Sequence, residues 1–236
     1  MQKPYYQDSA VTIYHGDCRE IVPQLGRFDL LLTDPPYGAG YAANPVVGKG
    51  KTKSNHADSD WDNEAPELSF ALSLCDEAIV WGGNYHSLPL RRRWLAWIKR
   101  DAPPSLSNME LAWTSFDANA RFFDWPIAAT NAERIGHPTQ KPLALMSWCI
   151  SLAGDVQMIL DPFAGSGTTG RAAQDLGRKA VLIEREERYC EIAAERMSQE
   201  VIQFGEDARA GQEECPGTAC NSGRDAMPLD IFEGVQ

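Results

Sequence analysis

Val156-Gln157-Met158-Ile159-Leu160-Asp161-Pro162-Phe163-Ala164-Gly165-Ser166-Gly167-Thr168-Thr169-Gly170 is the stretch that decides the fold. Its first five residues are an apolar run of strand length. A helical pattern follows in Ala172, Ala173 and Leu176, with Gly177 as the stop signal. A strand, a glycine loop and a helix in that order bring backbone close to a ligand, with the N–H groups of the helix start facing it. The next run, Lys179-Ala180-Val181-Leu182-Ile183, reads as a strand that ends at Glu184, a position where a carboxylate suits the two ribose hydroxyls of a nucleoside. Two readings compete. Gly165, Gly167 and Gly170 satisfy G-x-G-x-x-G, and Glu184 lies 19 residues beyond Gly165, which admits a dinucleotide site. A glycine turn ahead of a helix would serve structure alone. The P-loop pattern fails, because Arg171 and Ala172 stand where its lysine and hydroxyl belong.

Upstream, Phe28-Asp29-Leu30-Leu31-Leu32 reads as a buried strand that runs into Thr33-Asp34-Pro35-Pro36-Tyr37. This turn has the parts needed to hold an exocyclic amino group of a base. The lone pair of such a nitrogen is spread into the ring. A carboxylate (Asp34) and a backbone carbonyl each accept one N–H and draw the nitrogen toward tetrahedral geometry. Pro35 and Pro36 stiffen the loop and leave its carbonyls without intrachain partners. Tyr37 suits stacking on a base swung out of its helix. The bland alternative is a strand that ends in a proline turn.

Together the two motifs resemble the amino-methyltransferases that use S-adenosylmethionine. A third segment, Gly136-His137-Pro138-Thr139-Gln140-Lys141-Pro142, precedes an apolar helix over Leu143 to Leu152. It looks like the H-P-T-x-K-P segment of the beta class of DNA amino-methyltransferases, which also places its catalytic motif first and its cofactor motif last. The resemblance covers roughly residues 9–197. It implies an α/β, Rossmann-like methyltransferase fold: a mostly parallel seven-stranded sheet, helices on both faces and one antiparallel strand near an edge. It also implies catalytic roles for Asp34, Pro35, Pro36 and Tyr37. S-adenosylmethionine would then be bound by Asp17, Thr139, Lys141, Asp161, Phe163, Gly165, Ser166, Gly167, Thr168 and Glu184. In the family, Thr139 and Lys141 would lie near the methionine carboxylate and Asp17 would face the cofactor's adenine. The residues themselves leave alternatives open. Asp17 also suits the cap of a helix from Cys18 to Leu25, Phe163 suits the core, and Lys141 suits a surface position before a helix with proline at its start. Trp81-Gly82-Gly83-Asn84-Tyr85 and Ser107-Asn108-Met109-Glu110 look like family segments at the mouth of the site.

Composition sets limits. A chain of 236 residues, 43% hydrophobic, accommodates one catalytic domain with appendages. There is no run of 18 apolar residues, and Met1-Gln2-Lys3-Pro4 is not a signal peptide, so a cytoplasmic protein without a membrane partner is expected. The six cysteines form no C-x-x-C pair, which indicates neither a metal site nor a disulfide framework. No Pro-Cys dipeptide occurs, which argues against ring-carbon methylation of cytosine through a cysteine. The net charge of −11 is unusual for a DNA-binding chain, but residues 198–236 carry −6 of it and the remaining body only −5. Within that body, Lys49, Lys51 and Lys53 form one basic cluster suited to DNA phosphates. Arg91, Arg92, Arg93, Lys99 and Arg100 form another.

Alternating strand-like and helical runs predict a catalytic domain over residues 1–204 and an acidic, disordered tail over 205–236. Little room remains for a separate recognition domain. Target reading is therefore assigned to residues 38–62 and 100–108, with a homodimer as one way to extend the surface. The expected activity is methylation of adenine N6 in double-stranded DNA. The resemblance favours adenine, since family members acting on cytosine N4 more often carry serine at the position of Asp34; methylation of cytosine N4 is the alternative. RNA methylation fits the motif order less well. A non-catalytic nucleic-acid binder would not need Asp34, Tyr37, Gly165 and Gly167 intact, and a dinucleotide oxidoreductase leaves Asp34-Pro35-Pro36-Tyr37 unexplained. A place in restriction-modification, or a solitary enzyme on a mobile element, fits the lack of any nuclease motif.

Overall fold

A computed structural model describes residues 2–38, 64–104, 106–135 and 140–199. All of them fall in one compact unit, Met1–Val201. The acidic tail, Lys49, Lys51 and Lys53, and Thr139 lie outside the described residues.

The strands are β1 (Tyr6–Gln7), β2 (Val11–His15), β3 (Phe28–Thr33), β4 (Cys75–Trp81), β5 (Trp94–Ile98), β6 (Met109–Thr114), β7 (Arg121–Asp124), β8 (Met158–Asp161) and β9 (Lys179–Glu184). The helices are α1 (Cys18–Ile21), α2 (Ser69–Leu72), α3 (Ile127–Ala132), α4 (Leu143–Leu152), α5 (Thr168–Asp175) and α6 (Glu187–Ser198). The strand order is β1-β2-β9-β8-β3-β4-β6-β5-β7. Strands β2, β9, β8, β3 and β4 pair in parallel. Strand β6 runs antiparallel to β4 and β5, while β7 runs parallel to β5 and β1 antiparallel to β2.

The α/β, mostly parallel architecture is the expected one, but the sheet differs in detail. Among the described residues it has nine strands rather than seven, and two of them, β1 and β6, oppose the rest. The additions have a simple cause. β1 and β7 are edge strands of two and four residues, too short to show a period of two. β5 follows three consecutive arginines that read as solvated surface.

The alternation of side chains builds a core on each face. Ile13, Leu30, Leu32, Ile79, Trp81, Ile159 and Leu182 point to one face and pack with Leu145 and Cys149 of α4, Ala172 and Ala173 of α5, and Cys190 and Ala193 of α6. Leu31, Ala78, Val80, Leu160 and Ile183 point to the other, against Ile21 of α1 and Ala71 of α2. The helix expected from Cys18 to Leu25 is one α turn followed by a 3-10 turn over Val22–Gln24, because Pro23 has no N–H to continue the ladder. The five parallel strands end together at His15, Glu184, Asp161, Thr33 and Trp81, so the motif residues gather along one sheet edge.

Candidate active site

A cavity of about 690 Å³ opens along that edge, within the range of small-molecule sites. It runs from Asp17 and Glu184 past Phe163, Gly165, Ser166 and Thr168 to Lys141 and Asp34. Glycines make the first part. Gly167 caps α5 with a φ of +77°, and a side-chain carbon there would lie 2.8 Å from Ala193 Cβ. The turn into α5 thereby packs directly on α6. Glu184, the last residue of β9, fixes the loop: its Oε2 accepts from Gly165 N at 2.8 Å and its Oε1 from Glu186 N at 2.8 Å. Burial raises the Glu184 carboxyl above its usual range, although these N–H donors pull against the rise. Asp17 is a helix cap at the cavity. It caps α1 by accepting from Arg19 N at 2.8 Å, and it lines the cavity. Phe163 likewise both lines the cavity and packs against the core.

Asp161 ties the cofactor side to the catalytic side. Its Oδ1 accepts from Thr33 Oγ1 at 2.7 Å and Phe163 N at 3.1 Å, and its Oδ2 from Thr169 Oγ1 at 2.5 Å. Burial pushes its carboxyl up to about 6, with the hydroxyl donors offsetting part of the rise. The folded pKa is raised above the unfolded one, so the folded state binds the proton more tightly and stability falls as pH rises. Relative to Asp161→Asn, the wild type should lose up to about 3 kcal/mol between about pH 4 and about pH 6. Thermal melts of both proteins across that range would show it, and a constant difference would contradict it.

On the catalytic side, Asp34 follows β3 directly. Its Oδ1 accepts from the Tyr37 hydroxyl at 2.7 Å, and its Oδ2 accepts from Lys141 Nζ. Lys141 Nζ also lies 3.2 Å from Glu110 Oε2, while Lys99 Nζ donates to Glu110 Oε1 at 2.6 Å. Burial alone would lower the Lys141 ammonium, but Asp34, Glu110 and Tyr37 together hold it well above its ordinary value. Burial and the neighbouring Asp34 raise the Tyr37 phenol well above its ordinary value, which keeps it a donor. The Tyr37 ring stacks on Tyr85 with centroids 4.9 Å apart and planes within 10°. Its edge lies on Gly82, where a side-chain carbon would sit 2.0 Å from Tyr37 Cε1. Tyr37→Phe should therefore lower kcat about tenfold by removing the hydrogen bond to a charged acceptor, with cofactor affinity unchanged. Wild-type turnover in that variant would show the hydroxyl to be idle.

The structure thus brings Asp17, Asp34, Pro36, Lys141, Asp161, Phe163, Gly165, Ser166, Thr168 and Glu184 to one cavity. Pro35 is buried behind the turn, and Gly167 shapes the loop from below. Lys141, which the family resemblance places near a methionine carboxylate, lines the cavity with its ammonium hydrogen-bonded to Asp34. In the second basic cluster, Arg93 is buried against the Phe116 ring, Lys99 is buried on Glu110, and Arg92 and Arg100 pair with Asp117 and Asp124. Sequence reasoning gave Tyr85 and Glu110 no individual role and placed Lys99 only in a basic cluster. Their signal was weak: each belongs to a segment named only as lying near the mouth of the site or within a charge run.

Residues 92–195 match the family model N6_N4_Mtase, a DNA methylase family. The chain is 26% identical over 257 residues to the type II methyltransferase M.ScaI of Streptomyces caespitosus, covering 84% of each. It is 27% identical over 252 residues to M2.MboI of Moraxella bovis, covering 82% of this chain and 90% of that protein. Two solved structures share the fold. M1.HpyAVI, solved as its S-adenosylmethionine complex, matches with TM-score 0.54 and 24% identity over 79% of this chain and 99% of that one. The cytosine-N4-specific PvuII DNA methyltransferase matches with TM-score 0.55 and 14% identity over 84% and 90%. With the strand-end cavity, the glycine loop and Asp34 among its lining residues, the chain is similar to the S-adenosylmethionine-dependent DNA amino-methyltransferases in sequence and in fold.

Proposed function

We propose that this enzyme methylates N6 of adenine in double-stranded DNA. The observation that carries the reading is that Asp34 lines the same cavity as the glycine loop and Glu184, so an amino-group acceptor and a nucleoside cradle share one space. The residues present fit S-adenosylmethionine: Glu184 and Asp17 offer carboxylates for hydroxyl and amine donors, and Phe163 offers an apolar face. When bound, S-adenosylmethionine supplies the methyl group from its sulfonium. Asp34 accepts an N–H from the adenine amino group, and the carbonyls of the Pro35-Pro36 turn are suited to accept the other. The nitrogen lone pair would then be freed from the ring to take the methyl group, whose bond to sulfur would break as the new one forms. The nitrogen gains a bond and a positive charge, and its proton leaves through Asp34 toward water. No cysteine takes part, so no covalent enzyme–base adduct forms. Stacking of the flipped base is assigned to Tyr37, whose ring is itself stacked on the 54% exposed Tyr85. Adenine is preferred because an aspartate stands before the prolines.

The test is methylation of duplex DNA with labelled cofactor, followed by nucleoside identification. N6-methyladenine supports the proposal. N4-methylcytosine would overturn the base assignment and keep the chemistry, and 5-methylcytosine would overturn both.

We further assign phosphate binding to Lys49, Lys51 and Lys53, and target reading to residues 38–62 and 100–108. Replacing all three with alanine should flatten the dependence of DNA affinity on salt, by about one unit of log–log slope for each phosphate no longer neutralised. An unchanged slope in a salt titration would mean that these lysines face solvent.

A further inference from the structure

Four alternating charges run from the catalytic turn into the antiparallel part of the sheet: Asp34, Lys141, Glu110 and Lys99. The two ammonium side chains are nearly sealed, each 7% exposed. Lys99 closes β5 and Glu110 lies in β6, opposite Trp97 in the register. The Trp97 ring stands 5.0 Å from Lys99 Nζ. The two carboxylates hold Lys141 differently. Asp34 Oδ2 takes an aligned hydrogen bond, whereas Glu110 Oε2 is 3.2 Å away, buried, and has no hydrogen-bond donor aligned on it. Lys141 Nζ thus has a second, partly used acceptor within reach.

A docked amino group needs a lone pair on Asp34. Each oxygen of that carboxylate already accepts one hydrogen bond, from Tyr37 and from Lys141, so an incoming N–H competes with a buried ammonium for the same anion. A buried ammonium cannot simply release its anion, since a charge left alone in a dry site costs several kcal/mol. We infer that Glu110 is a positioning residue that receives the Lys141 ammonium when the target amino group takes its place on Asp34, and that Lys99 holds Glu110 ready for this. No covalent bond changes in the step: Lys141 keeps its proton and exchanges one carboxylate partner for another. Glu110 matters only while Asp34 is engaged, so its loss should register in turnover rather than in cofactor binding. Burial would raise the Glu110 carboxyl, but Lys141 and Lys99 hold it below its ordinary value, in keeping with an anion that stays charged.

This inference rests on the amino-methyltransferase reading of the same cavity, and the experiment separates the two. Glu110→Gln keeps the shape and an acceptor but removes the charge. Its kcat should fall about tenfold or more, with S-adenosylmethionine affinity within about twofold of wild type. The alkaline limb of its kcat–pH profile should move down by about one pH unit, because Lys141 loses one of the anions that hold its proton. Glu110→Asp should restore part of kcat. Without ligands, melting of Glu110→Gln, Lys141→Met and the double variant should give a non-additive cycle, the sign of a direct coupling. If wild type fails to methylate any amino group, the underlying reading falls. If wild type is active while Glu110→Gln matches it in kcat and pH limb, or loses cofactor affinity instead, the positioning role falls.

Discussion

Asp34→Ala is expected to lower methyl transfer by about a thousandfold or more while cofactor affinity stays within about twofold. Asp34 accepts the Tyr37 hydroxyl at 2.7 Å and the Lys141 ammonium, yet it touches neither the glycine loop nor Glu184. Its loss removes the acceptor that draws the amino nitrogen out of conjugation. It also leaves Lys141 with Glu110 as its remaining carboxylate. Because that imbalance strains the fold, Asp34→Asn serves as the companion variant: it keeps the volume and one acceptor oxygen. Single-turnover rates and calorimetric titration of both variants check the expectation. Turnover near wild type in either one would remove Asp34 from the chemistry.

The second large effect concerns Glu184. Its place at the end of a strand suggests one job, to bind ribose hydroxyls, worth about ten- to a hundredfold in affinity. The structure adds another, since its two oxygens each take a backbone N–H, from Gly165 and from Glu186. Glu184→Ala should therefore weaken S-adenosylmethionine binding by about a hundredfold or more and lower stability by about 1–3 kcal/mol for the orphaned donors. Glu184→Gln, which keeps one acceptor, should fall between. Calorimetry with unchanged affinity, or tight binding of a nicotinamide dinucleotide, would contradict the assignment.

The legible parts of this fold were those where chemistry and periodicity coincide. Strand β3 running into Asp34, strand β8 running into the glycine loop, and Glu184 at the end of β9 were all visible, because a buried apolar run stops at a polar group. The outer strands β5 and β7 were harder to read. Trp94–Ile98 follows three arginines, and Arg121–Asp124 is a short edge with Phe122 66% exposed, so neither shows clean alternation. The Lys99–Glu110–Lys141 contacts join segments up to 42 residues apart. Nothing local announces such a pairing, and a lysine beside an arginine reads as surface until a strand register turns it inward.

Asp161 has a practical consequence for anyone who would enlarge this cavity to transfer groups bulkier than methyl. Its hydrogen bonds to Thr33 and Thr169 make the floor of the donor pocket and the root of the catalytic turn one piece. Trimming that floor would shift the nucleophile along with the donor. Space is better sought at Phe163, a half-buried wall residue whose side chain anchors no polar network, so that reach could be gained there without disturbing the alignment for in-line attack.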